Sequence, residues 1–213
     1  MKRFYLYPLW IRIWHWLNAM CCLILIVTGL SLHFADKEDP FISFELSILI
    51  HNIAGVVMAL LYMMFIIGNV ITRNGIHYRI RFSGLYGRLL RQVRYYLFEV
   101  YWNKQHPFPA EENCKFNPLQ QLTYLAIMYG LVPPLVISGL LLLIPESIPD
   151  ELLGTGTILP VALLHTVASY LLFLFMVVHV YIATTGHSIT SNYKSMVTGW
   201  HEEQEIDVKG GRQ

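Results

Sequence analysis

Four long apolar stretches constrain this chain more than anything else in it. They run from about Leu9 to Phe34, Ile42 to Ile71, Leu119 to Ile144 and Ile158 to Thr185. A bilayer core takes about 20 apolar residues of helix, and each stretch reaches that length. Inside hydrocarbon a backbone must satisfy its own polar groups, so each stretch has to be helical. Composition agrees: 55% of residues are hydrophobic and 14% charged, against about 25% charged in an ordinary soluble domain. The sequence predicts an all-α fold, an integral membrane four-helix bundle over residues 1–200, with a disordered cytoplasmic tail over 201–213. The first stretch superficially mimics a secretory signal. Its apolar part far exceeds the roughly 7–15 residues of a signal core, so it reads as a retained first span.

Charge supplies direction. Lys2, Arg3 and Arg12 flank the start of span one. Arg73, Arg79, Arg81, Arg88, Arg91, Arg94, Lys104 and Lys115 fill the loop between spans two and three, and Lys194, Lys209 and Arg212 lie near the end. The two opposite loops hold only Lys37, together with Asp36, Glu38, Asp39, Glu146, Asp150 and Glu151. The split is 14 cations to 1. By the positive-inside rule both termini and the long loop of this multi-pass protein face the cytoplasm. Within that loop, from Ser83 to Trp102, Leu85, Leu89, Val93, Leu97 and Val100 recur at helical spacing among three arginines. This is the pattern of an amphipathic helix lying in the cytoplasmic interface, or of a solvated basic helix that holds the topology. A net charge of +1 gives no reason to expect nucleic acid. Cys21, Cys22 and Cys114 form no CxxCH, zinc or disulfide pattern and read as small filler. Adjacent Pro133 and Pro134 predict a kink in span three, with neighbouring helices taking up the freed carbonyls.

Ionisable residues inside hydrocarbon are costly and usually functional. Four histidines fall within spans: His15, His51, His165 and His179. His33, His77, His106, His187 and His201 lie at span ends or in polar segments and read as surface residues. His165 and His179 are 14 residues apart, about 21 Å along one helix and within about 40° of the same face. Neither reaches the other, so each needs its own partner. His51 lies about nine residues below the outer end of span two, and His165 about seven below that of span four. His15 and His179 each lie about six residues from an inner end. Two pairs follow, His51 with His165 and His15 with His179. Two imidazoles facing one another suit the two axial positions of a porphyrin iron held between helices. With both positions filled, the iron can only cycle between its ferrous and ferric states. Two such haem b groups at two depths form a wire for electrons. A metal transporter would add carboxylate or Cys-x-x-Cys ligands deep in its spans, and none stands there.

Smaller signals join these. Gly29 is 14 residues after His15, at the depth of the outer haem, where a side chain would collide with the macrocycle. Gly55, one turn after His51, fits the same role. Arg12, one turn before His15, would meet haem propionates or simply set the topology. Electrons in such a wire need a lipid-soluble donor or acceptor, and quinones also move protons. Asn117, Gln120 and Gln121 open span three near the inner pair, where amides could bind quinone carbonyls close to cytoplasmic water. Asn117 followed by Pro118 also makes a good helix cap and first turn, and the two readings are compatible.

The segments RIWHWLN, ISFELSILIHNIAG, KFNPLQQLTY, LLHTVASYLLFLFMVVHVYIATTGH and SMVTGW resemble the dihaem cytochrome b subunits of bacterial quinone-linked respiratory enzymes. That superfamily includes the cytochrome b of nickel–iron hydrogenases, the gamma subunit of membrane-bound formate dehydrogenase and thiosulfate reductase membrane anchors. The resemblance covers about Tyr5 to Trp200. It implies the same histidine pairing, a menaquinone site beside the inner haem with Asn117 at its amide position, and a periplasmic iron–sulfur subunit leading to a catalytic subunit. The chain would then be the quinone-reactive part of an oxidoreductase complex. The alternatives are a stand-alone cytochrome b quinol oxidase passing electrons to oxygen or superoxide, and a haem-free anchor or transporter. Quinol-dependent oxygen consumption without partners would mark the first, and a colourless folded protein the second.

Overall fold

A computed structural model describes residues 2–34, 42–72, 74–102, 106–109, 115–149, 151–152, 155–186 and 188–203. Asp36, Lys37, Glu38, Asp39, Arg73, Lys104, Cys114, Asp150, His187, Lys209 and Arg212 lie outside the described residues, as does the tail from 204. The elements are β1 (Lys2–Tyr5), α1 (Leu9–His33), α2 (Phe44–Ile71), α3 (Leu85–Leu97), α4 (Pro118–Leu125), a π-helical segment (Ala126–Leu131), α5 (Val132–Leu143), β2 (Glu151–Leu152), β3 (Thr155–Gly156), α6 (Ile158–Ala183), α7 (Ser191–Thr198) and β4 (Trp200–Glu203). Four helices are long and apolar enough to cross a membrane: Leu9–His33, Phe44–Ile71, Pro118–Leu143 and Ile158–Ala183. Their ends lie within two residues of those expected from hydropathy. The start of α2 is set by Ser43, whose extended backbone stops the helix and whose Oγ accepts the Leu46 N–H at 3.4 Å.

The chain divides into two compact units. One comprises Ile13–Gly75 and Leu125–Met176 and contains parts of all four long helices. Within it, the Trp14 indole donates to the Leu61 carbonyl at 2.8 Å and stacks on Phe65 at 4.7 Å, locking α1 to α2. Farther along the same pair, the Ser47 hydroxyl donates to Ser31 at 3.1 Å. Helix α5 packs on α2. Ser138 of α5 reaches His165 of α6, and His33 of α1 meets Tyr170 of α6 edge-on at 5.7 Å, closing a four-helix ring. Outward positions such as Leu23, Leu60, Leu163 and Leu171 are exposed, as lipid-facing helices require.

Span three breaks where its prolines demand it, and the break takes the form of the π-helical segment immediately before them. The Val132 N–H bonds to the Ile127 carbonyl, one residue farther back than in an α-helix. Pro133 has no N–H to offer. The Met128 carbonyl is thereby left without a partner in its own helix, and the Tyr62 hydroxyl of α2 donates to it at 2.9 Å. The freed carbonyl is satisfied by a neighbouring helix, as the adjacent prolines led us to expect.

The other unit comprises Met1–Arg12, Ile76–Tyr124 and Val177–Gln213. Here β1 and β4 pair antiparallel, with Arg3 opposite Glu202 in an ion pair at 3.7 Å and Phe4 opposite His201. Gly199 adopts φ 85° after α7, and its carbonyl accepts the Leu6 and Tyr7 N–H groups at 2.8 and 3.2 Å. A Cβ there would lie 2.7 Å from the Tyr7 carbonyl oxygen, so the turn admits only glycine. This corrects the reading of 201–213 as disordered for its first residues, because His201 to Glu203 are held by the β1 ladder. Helix α3 occupies the middle of the expected amphipathic stretch. It buries Gln92, Tyr95 and Tyr96 and leaves Tyr86, Leu90, Val93 and Leu97 exposed along one stripe.

Candidate functional site

Within the unit built from all four long helices, His51 and His165 face one another. Each lies seven residues from the start of its helix, Phe44 or Ile158, so the matching of depth expected from the sequence holds. Their ring centres are 6.3 Å apart with planes crossing at 73°. Two residues of the same kind seat each ring. The Thr28 hydroxyl of α1 lies 2.9 Å from His51 Nδ1, and the Ser138 hydroxyl of α5 lies 3.1 Å from His165 Nδ1. The next residue in each case is glycine. A Cβ on Gly29 would lie 3.4 Å from His51 Cε1, and one on Gly139 only 3.0 Å from His165 Cε1. The approach at Gly139 is the tight one, and at Gly29 a Cβ would make an ordinary contact. Among the described residues, a Cβ built on Gly55 would meet nothing within 4 Å beyond its chain neighbours and its own helix backbone.

This arrangement fits an iron porphyrin. Imidazole nitrogens ligate metals at about 2.0–2.1 Å, and each nitrogen is about 1.1 Å from its ring centre, so two imidazoles on opposite sides of one iron are centred about 6 Å apart. A bare metal ion would need further protein ligands. Among the described residues no group of three or more His, Cys, Asp or Glu side chains could hold one. Two imidazoles suffice only where a macrocycle supplies the other four nitrogens.

His15 follows Trp14, whose hydrogen bond and stacking fix that turn of α1, and its ring meets Trp16 edge-on at 5.3 Å. In the other unit, His179 lies four residues before the end of α6, with the Tyr124 ring 6.2 Å away. Arg12 donates from Nη1 to the Val197 carbonyl at 2.5 Å, in the last turn of α7. Its guanidinium thus complements a helix C-terminus.

The amides at the start of α4 form a reciprocal cap. Asn117 Oδ1 accepts the Gln120 N–H at 2.9 Å, and Gln120 Oε1 accepts the Asn117 N–H at 3.1 Å. Asn117 Nδ2 also donates to the Tyr96 hydroxyl at 2.9 Å, and Gln121 Nε2 donates to the His77 carbonyl at 3.4 Å. Burial pushes Tyr96 up to about 12, partly opposed by its bond from Asn117, and burial likewise pushes Tyr7 up to about 12. Both stay protonated at neutral pH. Burial and then the charge of Lys115 hold His77 below its usual range, and burial also lowers Lys115. The Tyr96 hydroxyl beside Asn117 is therefore a neutral hydrogen-bonding group. Sequence reasoning missed Thr28, Ser138, Gly139 and Tyr96. The one available signal was the recurrence of a hydroxyl–glycine dipeptide, Thr28-Gly29 and Ser138-Gly139, in spans one and three.

The prokaryotic cytochrome b561 family matches residues 6–199. The chain is also 36% identical over 200 residues to "Putative cytochrome YdhU" of Escherichia coli (strain K12), across 94% of this chain and 75% of that protein. The facing imidazoles, the four apolar helices and these likenesses lead to one conclusion: the chain belongs to the prokaryotic cytochrome b561 family, multi-pass membrane cytochromes that bind haem b and serve electron transfer.

Proposed function

We propose that this protein carries electrons across the bacterial inner membrane between the quinone pool, menaquinone or another quinone, and a periplasmic iron–sulfur subunit joined to a catalytic subunit. In this reading it is the quinone-reactive cytochrome b subunit of an oxidoreductase complex. When bound, two haem b groups would supply one-electron ferrous–ferric couples at two depths. His51 and His165 would hold the outer one, and His15 and His179 the inner one. The facing of His51 and His165, with ring centres 6.3 Å apart, is the observation that carries the reading. Held by two imidazoles, such a group would supply electron transfer rather than oxygen chemistry. The inner pair rests on the 14-residue spacing along α6 and on the family resemblance. Gly29 and Gly55 would keep side chains clear of the outer site, and Arg12 would offer a cation to an inner propionate.

Asn117, Gln120 and Gln121, with the Tyr96 hydroxyl beside Asn117, would bind the quinone carbonyls near cytoplasmic water. Both termini would be cytoplasmic. The exposed stripe of Tyr86, Leu90, Val93 and Leu97, flanked by Arg88, Arg91 and Arg94, supports a place for α3 in the cytoplasmic lipid interface. The test is quinol reduction of the purified protein in liposomes. His15→Ala should leave the outer haem reducible by dithionite and no longer by quinol. Equally fast quinol reduction of the outer haem without its inner neighbour would refute the wire.

A further inference from the structure

The outer histidines are each held by a hydroxyl that has only one hydrogen to give. Thr28 Oγ1 lies 2.8 Å from the Ile24 carbonyl of its own helix as well as 2.9 Å from His51 Nδ1. Ser138 Oγ lies 3.0 Å from the Leu135 carbonyl of its own helix as well as 3.1 Å from His165 Nδ1. Both residues are 2% exposed, so water does not complete either set. In each case the hydroxyl hydrogen goes back to the helix carbonyl, the usual bond of serine and threonine in a helix. The oxygen is then left as an acceptor. The hydrogen that fills it is the one on imidazole Nδ1, which at His165 also has the Leu135 carbonyl within reach. That assigns the tautomer of both rings: Nδ1 carries the proton and Nε2 keeps its lone pair for a metal.

We propose that Thr28 and Ser138 are a matched pair of positioning residues that fix the tautomer of His51 and His165 and set the electron affinity of the group between them. The inference rests on the bis-histidine reading of the outer site. An imidazole that gives its N–H to an acceptor is a more basic ligand, and a more basic ligand favours the ferric state. The two hydroxyls together therefore lower the potential of the outer haem relative to ligands without acceptors. The glycine after Ser138 belongs to the same device: a Cβ on Gly139 would lie 3.0 Å from His165 Cε1, so its absence lets the α5 backbone come close enough for a short side chain to reach the ring.

The test is a redox titration of the outer haem in the full chain, with haem content measured in parallel. Thr28→Val keeps the shape and removes the acceptor. Ser138→Ala does the same on the other side, and Thr28→Ser restores the acceptor. Each removal should shift the ferrous-to-ferric ratio at fixed ambient potential up to about tenfold toward ferrous, which for one electron is about 59 mV upward. Thr28→Ser should return the potential to the wild-type value. If Thr28→Val instead sheds the outer haem, retention in Thr28→Ser supports the proposal, because the acceptor and not the methyl group then decides. An unchanged potential with full haem content, or a Thr28→Ser protein that behaves like Thr28→Val, overturns it while leaving the bis-histidine reading intact. A wild-type protein without haem would sink that reading itself.

Discussion

Adding one methyl group at Gly139 and one at Gly29 should have opposite consequences. A Cβ on Gly139 would sit 3.0 Å from His165 Cε1 and 3.5 Å from Nδ1. Carbon atoms in good contact stand about 3.5–4.0 Å apart, so the ring must retreat by roughly 0.5 Å or more. That equals the tolerance of about 0.5 Å within which a cofactor-binding constellation has to be held. Ser138 anchors Nδ1 from the preceding residue, so retreat also stretches that bond. Gly139→Ala should therefore weaken haem retention at the outer site by about tenfold or more, in the range seen when support of a metal ligand is lost. It should do so although alanine favours the helix itself by about 1 kcal/mol. On Gly29 the same Cβ would stand 3.4 Å from His51 Cε1, an ordinary contact, and Gly29→Ala should keep its haem. Haem per polypeptide, measured during titration with limiting haemin, separates the two. Equal loss in both variants, or full retention in Gly139→Ala, would refute the reasoning.

Three further outcomes follow from the same contacts. Tyr62→Phe should lower thermal stability in detergent by about 1 kcal/mol, because the Met128 carbonyl loses its donor. The loss should shrink when Pro133→Ala restores an N–H nearby, and an undiminished loss would disprove this role. Asn117→Ala should cost about 1 kcal/mol of stability through the lost cap and also slow quinol reduction of haem. Asn117→Ser, which keeps the cap but not the donor to Tyr96, should recover stability only; recovery of both would reduce Asn117 to a cap. His77 is held below its usual range, so the unfolded chain takes up its proton first. Stability should be full above about pH 6.5 and fall as the pH drops toward the folded value. His77→Asn should flatten that fall in melting curves, and an identical pH profile would contradict the assignment.

The four spans were legible because hydropathy over about 20 residues is a local property. The level placing of His51 and His165 was legible because helix rise converts sequence number into height. What escaped the reading is what one helix does to another. Serine and threonine satisfy themselves on their own helix carbonyls, so beyond the glycine that follows each, nothing in the sequence separates Thr28 and Ser138 from their many equivalents until a ring is found beside them. Pro133 and Pro134 announced a break, but its form depended on Tyr62, which lies 66 residues from the carbonyl it satisfies. Gly139 stands against His165 as Gly29 stands against His51, but its closeness to that ring required the fold. Pairing of β1 with β4 joins segments almost 200 residues apart, and a polar, charged run gave no local hint of it. At Asn117 the cap was visible as a residue pattern, while its bond to Tyr96 required the fold.

The most direct test of the account is a count of b-type haem per polypeptide in the purified wild-type chain and in His165→Ala. Two haems falling to one, with the remaining haem still low-spin, is the predicted result. Two haems in both proteins would contradict the assignment of His165, and a colourless wild-type chain would contradict the account as a whole.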